Sequence, residues 1–109
     1  NGATTTFEAL VMGVPVVALR GRHFVDRVAA SMVTHAGLPE LVAGNHADYI
    51  DIAASLAGNI NRLDLLRSTI RDQLHASPLC CGETYARSVE SAFADMWRTW
   101  CATGGYREK

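Results

Sequence analysis

Val14-Pro15-Val16-Val17-Ala18-Leu19 is an unbroken apolar run, rich in β-branched residues and without polar alternation. A strand apolar on both faces must be covered on both, as a parallel strand between helix layers is. What precedes the run narrows the choice. The spacing predicts a helix from about Thr5 to Met12, closed by Gly13 as a C-cap, with Pro15 unable to continue it and suited to a strand's first position. Helix, tight turn and buried strand are half of a β-α-β repeat, whose first strand would lie upstream of Asn1. The chain also opens without Met. The expectation is a fragment of an α/β fold, of marginal stability and with apolar surface exposed where missing strands would pack.

The segment ahead of that helix, Asn1-Gly2-Ala3-Thr4-Thr5-Thr6-Phe7-Glu8, gathers small residues, three hydroxyls and one carboxylate. Gly2 allows close backbone approach to a ligand, and the unpaired amides of a helix start face outward with partial positive charge. Such a loop suits a phosphate and a ribose. Thr5 and Glu8 also have the spacing of a capping box, which would use the same atoms merely to close the helix end.

Composition excludes several classes. The 109 residues suffice for about one small domain, and the net charge of −1 comes from interspersed signs. With no basic stripe, neither a nucleic acid nor an anionic membrane is an expected partner. No apolar run approaches the roughly 18 residues of a membrane-spanning helix, and no secretory leader is visible, so the expectation is a soluble, cytoplasmic protein. Cys80, Cys81 and Cys101 fit neither a disulfide framework nor a zinc knuckle. His23, His35, His46 and His75 are too scattered to converge on a metal, and none is expected.

Beyond the strand, Arg20-Gly21-Arg22-His23 forms a loop at a strand's carboxyl end, the edge where open α/β sheets bind ligands. Its charges are equally those of a solvated loop. A helix is expected from about Phe24 to Ala36, a short strand within Leu38 to Ala43, and a helix from about His46 to Ala57 capped by Asn45. Tyr49, Ile52, Ala53 and Leu56, then Leu63, Leu66, Ile70 and Leu74, mark packing faces of two helices. After Ser77-Pro78, a long last helix from about Glu83 to Cys101 carries Tyr85, Val89, Phe93, Met96, Trp97 and Trp100 along one side. Large aromatics at that spacing read as core or interdomain packing.

Taken in order, the blocks Asn-Gly-x-Thr-Thr-Thr, Glu-Ala-Leu-x-Met-Gly-Val-Pro-Val-Val, Arg-Val-Ala-Ala-Ser, Gly-Leu-Pro-Glu-Leu-Val, Ser-Pro-Leu and Met-Trp carry a more specific likeness. From Asn1 to about Trp100 the chain resembles the carboxyl-terminal end of the O-linked N-acetylglucosamine transferase family, in the form found in bacterial proteins with tetratricopeptide repeats. The resemblance implies a two-lobed GT-B glycosyltransferase. Residues 1–102 would be the C-terminal part of its second, Rossmann-like nucleotide-sugar-binding lobe, helix-rich and ending in the long helix, and residues 103–109 a frayed tail.

It further implies that Ala3, Thr4 and Thr5 line the diphosphate of a uridine diphosphate N-acetylglucosamine (UDP-GlcNAc) donor and that Glu8 holds the ribose hydroxyls. Protein acceptors and the remainder of the catalytic region would be the partners. No cofactor or metal is implied, and no catalytic residue falls in this part, so the fragment alone should be inactive. Animal members of the family have histidine at the place of Ala3 and aspartate at that of Glu8. Alanine leaves only a backbone amide there, while glutamate can do an aspartate's work from one methylene further out. The loop Arg20-Gly21-Arg22-His23 also departs from the family's common proline-glycine form. Two other readings stand beside the transferase: a decayed, non-catalytic scaffold, motivated by Ala3, and a GT-B enzyme acting on a glycan or small molecule, since fold does not fix the acceptor.

Overall fold

The computed structural model describes residues 2–104. Asn1, and the expected tail from residue 105 onward, lie outside the described residues. The first helix, α1, is Thr4–Val11. It starts one residue earlier than its pattern suggests, and this removes the capping box. Thr5 sits inside the helix rather than at its cap, and the N-cap is Ala3, which has no side-chain acceptor. It is Thr6 whose hydroxyl turns back, donating to the Gly2 carbonyl at 2.8 Å.

The extended segment that follows pairs only over Ala18–Leu19 (β1). Residues 28–35 form α2, Val28–His35, and Val42–Ala43 form β2. The two strands are parallel, in the register Ala18↔Val42 and Leu19↔Ala43, with the Arg20 amide extending the ladder to the Ala43 carbonyl at 2.9 Å. β1, α2 and β2 therefore make a complete β-α-β unit. The apolar run is longer than its paired part because a ladder needs a neighbour, and among the described residues β1 has β2 alone.

Two expected elements are shorter for local reasons. The helix expected from Phe24 begins instead as a 3-10 turn, Val25–Arg27, because the Gly21 amide donates to the Asp26 carbonyl at 3.2 Å and closes a tight loop first. The strand expected from Leu38 gives way to a 3-10 turn at Pro39–Leu41, since proline lacks the amide a ladder requires and presets a turn angle.

Helix α3, His46–Ala57, has the boundaries its pattern predicts, with the Asn45 side chain accepting from the Asp48 amide at 2.9 Å. Helix α4, Ile60–Ala76, is capped likewise by Asn59, and Leu66, Ile70 and Leu74 along one face are buried. That face packs on α1. Leu10, Val33, Leu38, Leu41, Ile70 and Leu74 are the largest fully buried side chains, and each contributes about 1.5–3 kcal/mol of apolar burial. Small buried residues, Ala29 and Ala30 in α2 and Ala36 just after it, let the helix lie close to the sheet.

Helix α5, Gly82–Ala102, differs from the rest: none of its 21 residues is buried. At about 1.5 Å per residue it is some 31 Å long, half of the molecule's 60 Å extent. Its strongest contact is with the 3-10 turn Pro78–Cys80. Tyr85, Phe93, Met96, Trp97 and Trp100 are exposed, so within this chain the aromatic stripe is not core, correcting one half of its reading and leaving interdomain packing.

Candidate functional site

The helix start singled out in the sequence lies open. Ala3, Thr4, Thr5 and Glu8 are all exposed on the first turns of α1. Helical geometry places Thr4, Thr5 and Glu8 on neighbouring positions of one surface, three and four residues apart, and leaves the first amides of the helix without acceptors inside it. Gly2 is held hard against this turn. A Cβ there would overlap the Thr5 hydroxyl, so a side chain at this position would push the exposed Thr5 side chain to another rotamer. Thr6 is buried, and its bond to Gly2 fixes the loop from beneath. Among the three threonines, then, Thr6 serves structure, and the Thr4 and Thr5 hydroxyls make no hydrogen bond among the described residues.

Beside this turn runs a cleft of about 600 Å³ lined by Gly2, Thr6, Gly21, Asp26, His46, Tyr49 and the consecutive residues Val16, Val17, Ala18 and Leu19. A sheet face contributes alternate residues to a surface, so four in sequence mean that the cleft follows the open edge of β1. Ala3, Thr4, Thr5 and Glu8 do not line it. His46, Tyr49 and Asp26 went unmarked as site residues in the sequence, and Tyr49 was expected in the packing face of α3. The signal that finds them is topological: His46 opens the helix that follows β2, and Asp26 lies in the loop that follows β1, both at the carboxyl end of the parallel strands.

The basic loop divides. His23 pairs with Asp26, Nδ1 to Oδ2 at 3.2 Å, Arg22 is exposed, and Arg20 faces a second groove on the far side of the loop from Gly21 and Asp26. Among the described residues no cluster of three or more His, Cys, Asp or Glu side chains could hold a metal ion, and no helix is long and apolar enough to cross a membrane.

The Thr84 hydroxyl, 3.0 Å from Cys81 Sγ, together with backbone amides at the start of α5, holds the Cys81 thiol below its ordinary value. Thiolate is thereby favoured at lower pH, and thiolate is the reactive form. Cys80, Cys81 and Cys101 are all exposed, so near neutral pH Cys81 is expected to be alkylated by iodoacetamide ahead of the other two. Thr84→Val should slow it and move its pH profile upward. Equal rates at all three thiols, read by mass spectrometry, would contradict this.

The sequence profile of Glycosyl transferase family 41 matches residues 1–89. The chain belongs to glycosyl transferase family 41. It is 40% identical over 100 residues, 92% of its length, to the probable UDP-N-acetylglucosamine–peptide N-acetylglucosaminyltransferase SPINDLY of Arabidopsis thaliana. It is 31% identical over 98 residues to the UDP-N-acetylglucosamine–peptide N-acetylglucosaminyltransferase of Caenorhabditis elegans. A solved mutant of the Thermobaculum terrenum O-GlcNAc transferase superposes with a TM-score of 0.82 at 38% identity, over 95% of this chain and 20% of that one. The fold implied by the resemblance, a helix-rich part of a GT-B catalytic region with a small parallel sheet and a long last helix, is therefore borne out. The chain spans 11% of the length of the Arabidopsis relative and 8% of the nematode one.

Proposed function

We propose that this family 41 chain is the donor-binding end of a protein O-glycosyltransferase that moves N-acetylglucosamine from UDP-GlcNAc to serine or threonine hydroxyls of proteins. The observation that carries the reading is the open start of α1, with Thr4, Thr5 and Glu8 exposed together, in a chain 40% identical to a protein named for that donor and a peptide acceptor.

In this reading the Ala3 amide and the hydroxyls of Thr4 and Thr5 meet the diphosphate, and Glu8 accepts from the vicinal ribose hydroxyls. As the acceptor hydroxyl oxygen bonds to the anomeric carbon, the bond from that carbon to the diphosphate breaks and negative charge collects on the departing oxygens. Charge-assisted bonds from fixed hydroxyls, with the positive end of α1, stabilise that charge as it forms. The group that takes the acceptor's proton, and the basic residue that assists the leaving phosphate, belong to other parts of the catalytic region. The exposed stripe on α5 is the surface offered to that remainder, and the whole acts in the cytoplasm, with tetratricopeptide repeats presenting the acceptors.

Incubating the full-length protein with radiolabelled UDP-GlcNAc and a lysate of its host is expected to label proteins, as resolved on a gel. Donor binding by calorimetry without any labelling would favour the decayed scaffold, while label in glycan or small-molecule fractions alone would move the acceptor class.

A further inference from the structure

The loop from Arg20 to Arg27 has two sides. Gly21 and Asp26 face the cleft beside the Gly2 turn. On the other side, Arg20, Phe24 and Arg27 stand over a groove of about 560 Å³ whose apolar wall includes Val28, Met32 and Leu79. No carboxylate lines this groove. The ion pairs of the described residues are His23 with Asp26, Arg62 with Glu40, Arg87 with Glu83 and Arg98 with Asp95, and neither Arg20 nor Arg27 takes part in one. Two guanidinium groups with no ion-pair partner among the described residues thus share one groove.

Phe24, between them in sequence and lining the same groove, is 86% exposed. The Asp26 amide donates to His23 at 3.1 Å, the Arg27 amide donates to the Phe24 carbonyl at 3.0 Å, and the Gly21 amide reaches the Asp26 carbonyl at 3.2 Å. A Cβ on Gly21 would collide with Asp26, so the closure is specific to glycine. A loop closed by backbone bonds that leaves an aromatic ring in water beside two guanidinium groups presents a surface of defined chemistry, apolar contact together with anion recognition.

We propose that this groove docks a segment of the protein acceptor in which carboxylates flank an aliphatic or aromatic side chain. The proposal rests on the transferase reading for its partner, a protein, and on the geometry for the partner's chemistry. Charge complementarity selects the acidic flanks, and the ring of Phe24 with the wall of the groove selects the apolar centre. The placement has a use: one loop borders both the groove and the cleft beside the Gly2 turn, so a segment held in the groove keeps the rest of the same acceptor near that turn. This is substrate selection at a distance from the reacting bond, raising local concentration without touching the chemistry.

The test uses the full-length protein and a short fluorescein-labelled peptide in which Glu alternates with Leu and Phe, beside its counterpart with Gln in place of Glu. Fluorescence polarisation is expected to show the Glu peptide binding about tenfold or more tightly than the Gln peptide, with the difference shrinking as salt is added. The double variant Arg20→Glu, Arg27→Glu should abolish that preference, and Phe24→Ser alone should weaken both peptides. All three positions are exposed, and an unchanged melting temperature separates lost docking from lost fold. Equal binding of the two peptides, or a preference untouched by the double variant, would overturn the proposal, as it would if another part of the protein's own chain fills the groove. Polarisation does not depend on sugar transfer, so absence of labelling in the lysate experiment and absence of docking here are separate results.

Discussion

Thr5→Ala in the full-length protein is expected to cut the rate of N-acetylglucosamine transfer by about 10- to 150-fold, the factor that corresponds to losing one hydrogen bond of about 1.5–3 kcal/mol to a charged group. The side chain is exposed in the first turn of α1. It makes no hydrogen bond among the described residues, and its hydroxyl merely lies close to Gly2. Its removal should therefore leave stability within about 0.5 kcal/mol, as exposed substitutions usually do. Most of the loss should fall on kcat, because the hydroxyl is asked to stabilise charge that appears as the diphosphate leaves rather than charge already present in the bound donor. Thr6→Ala is the instructive contrast. That hydroxyl is buried against the Gly2 carbonyl, so its loss should lower the melting temperature and loosen the loop, raising KM together with lowering kcat. A Thr5→Ala enzyme as fast as the parent would take Thr5 out of the phosphate role, whatever becomes of Thr6.

That contrast also marks what the sequence could convey. The three threonines are identical as letters, and which of them points inward depends on where the helix starts, a matter settled by one residue. The residue spacing favoured Thr5 as cap. The fold starts α1 at Thr4, and it is the Thr6 hydroxyl that turns in to the Gly2 carbonyl. Where a signal was strictly local it was legible in full: Asn45 and Asn59 cap their helices, and the stripe Leu66, Ile70, Leu74 is buried as its spacing requires. Where the outcome depended on a neighbour it was not. Val14 to Leu19 reads as a strand six residues long, yet pairs over two, because pairing belongs to the partner strand. Phe93, Met96, Trp97 and Trp100 read as a packing face, and among the described residues they stay exposed. The second groove was invisible for another reason. Arg20, Arg27 and Leu79 are brought together by the turn of the chain, not by their spacing.

Gly13→Ala is expected to cost about 2–4 kcal/mol, a large share of the 5–15 kcal/mol that holds an ordinary domain together. Gly13 sits at φ 73° in the turn that ends α1, and two effects converge on it. A side chain in this left-handed region costs about 1 kcal/mol by itself. The added Cβ would also lie 2.8 Å from the Arg67 carbonyl oxygen in α4, which is backbone and has no rotamer to escape into. Relief requires α1 and α4 to move apart, and their interface includes Leu10 and Ile70, both fully buried. Separating them forfeits packing of the kind that makes overfilled cores lose about 1–3 kcal/mol. Gly37 isolates the first effect from the second: it has φ 85° in the turn after α2, with nothing within 4 Å of a Cβ built there. Gly37→Ala should therefore lose only about 1 kcal/mol, visible as a smaller fall in the urea midpoint at unchanged slope. Equal losses at the two glycines would mean that α4 yields freely to the new methyl group, and that the α1–α4 contact is not the rigid seam on which the Thr4 and Thr5 turn is mounted.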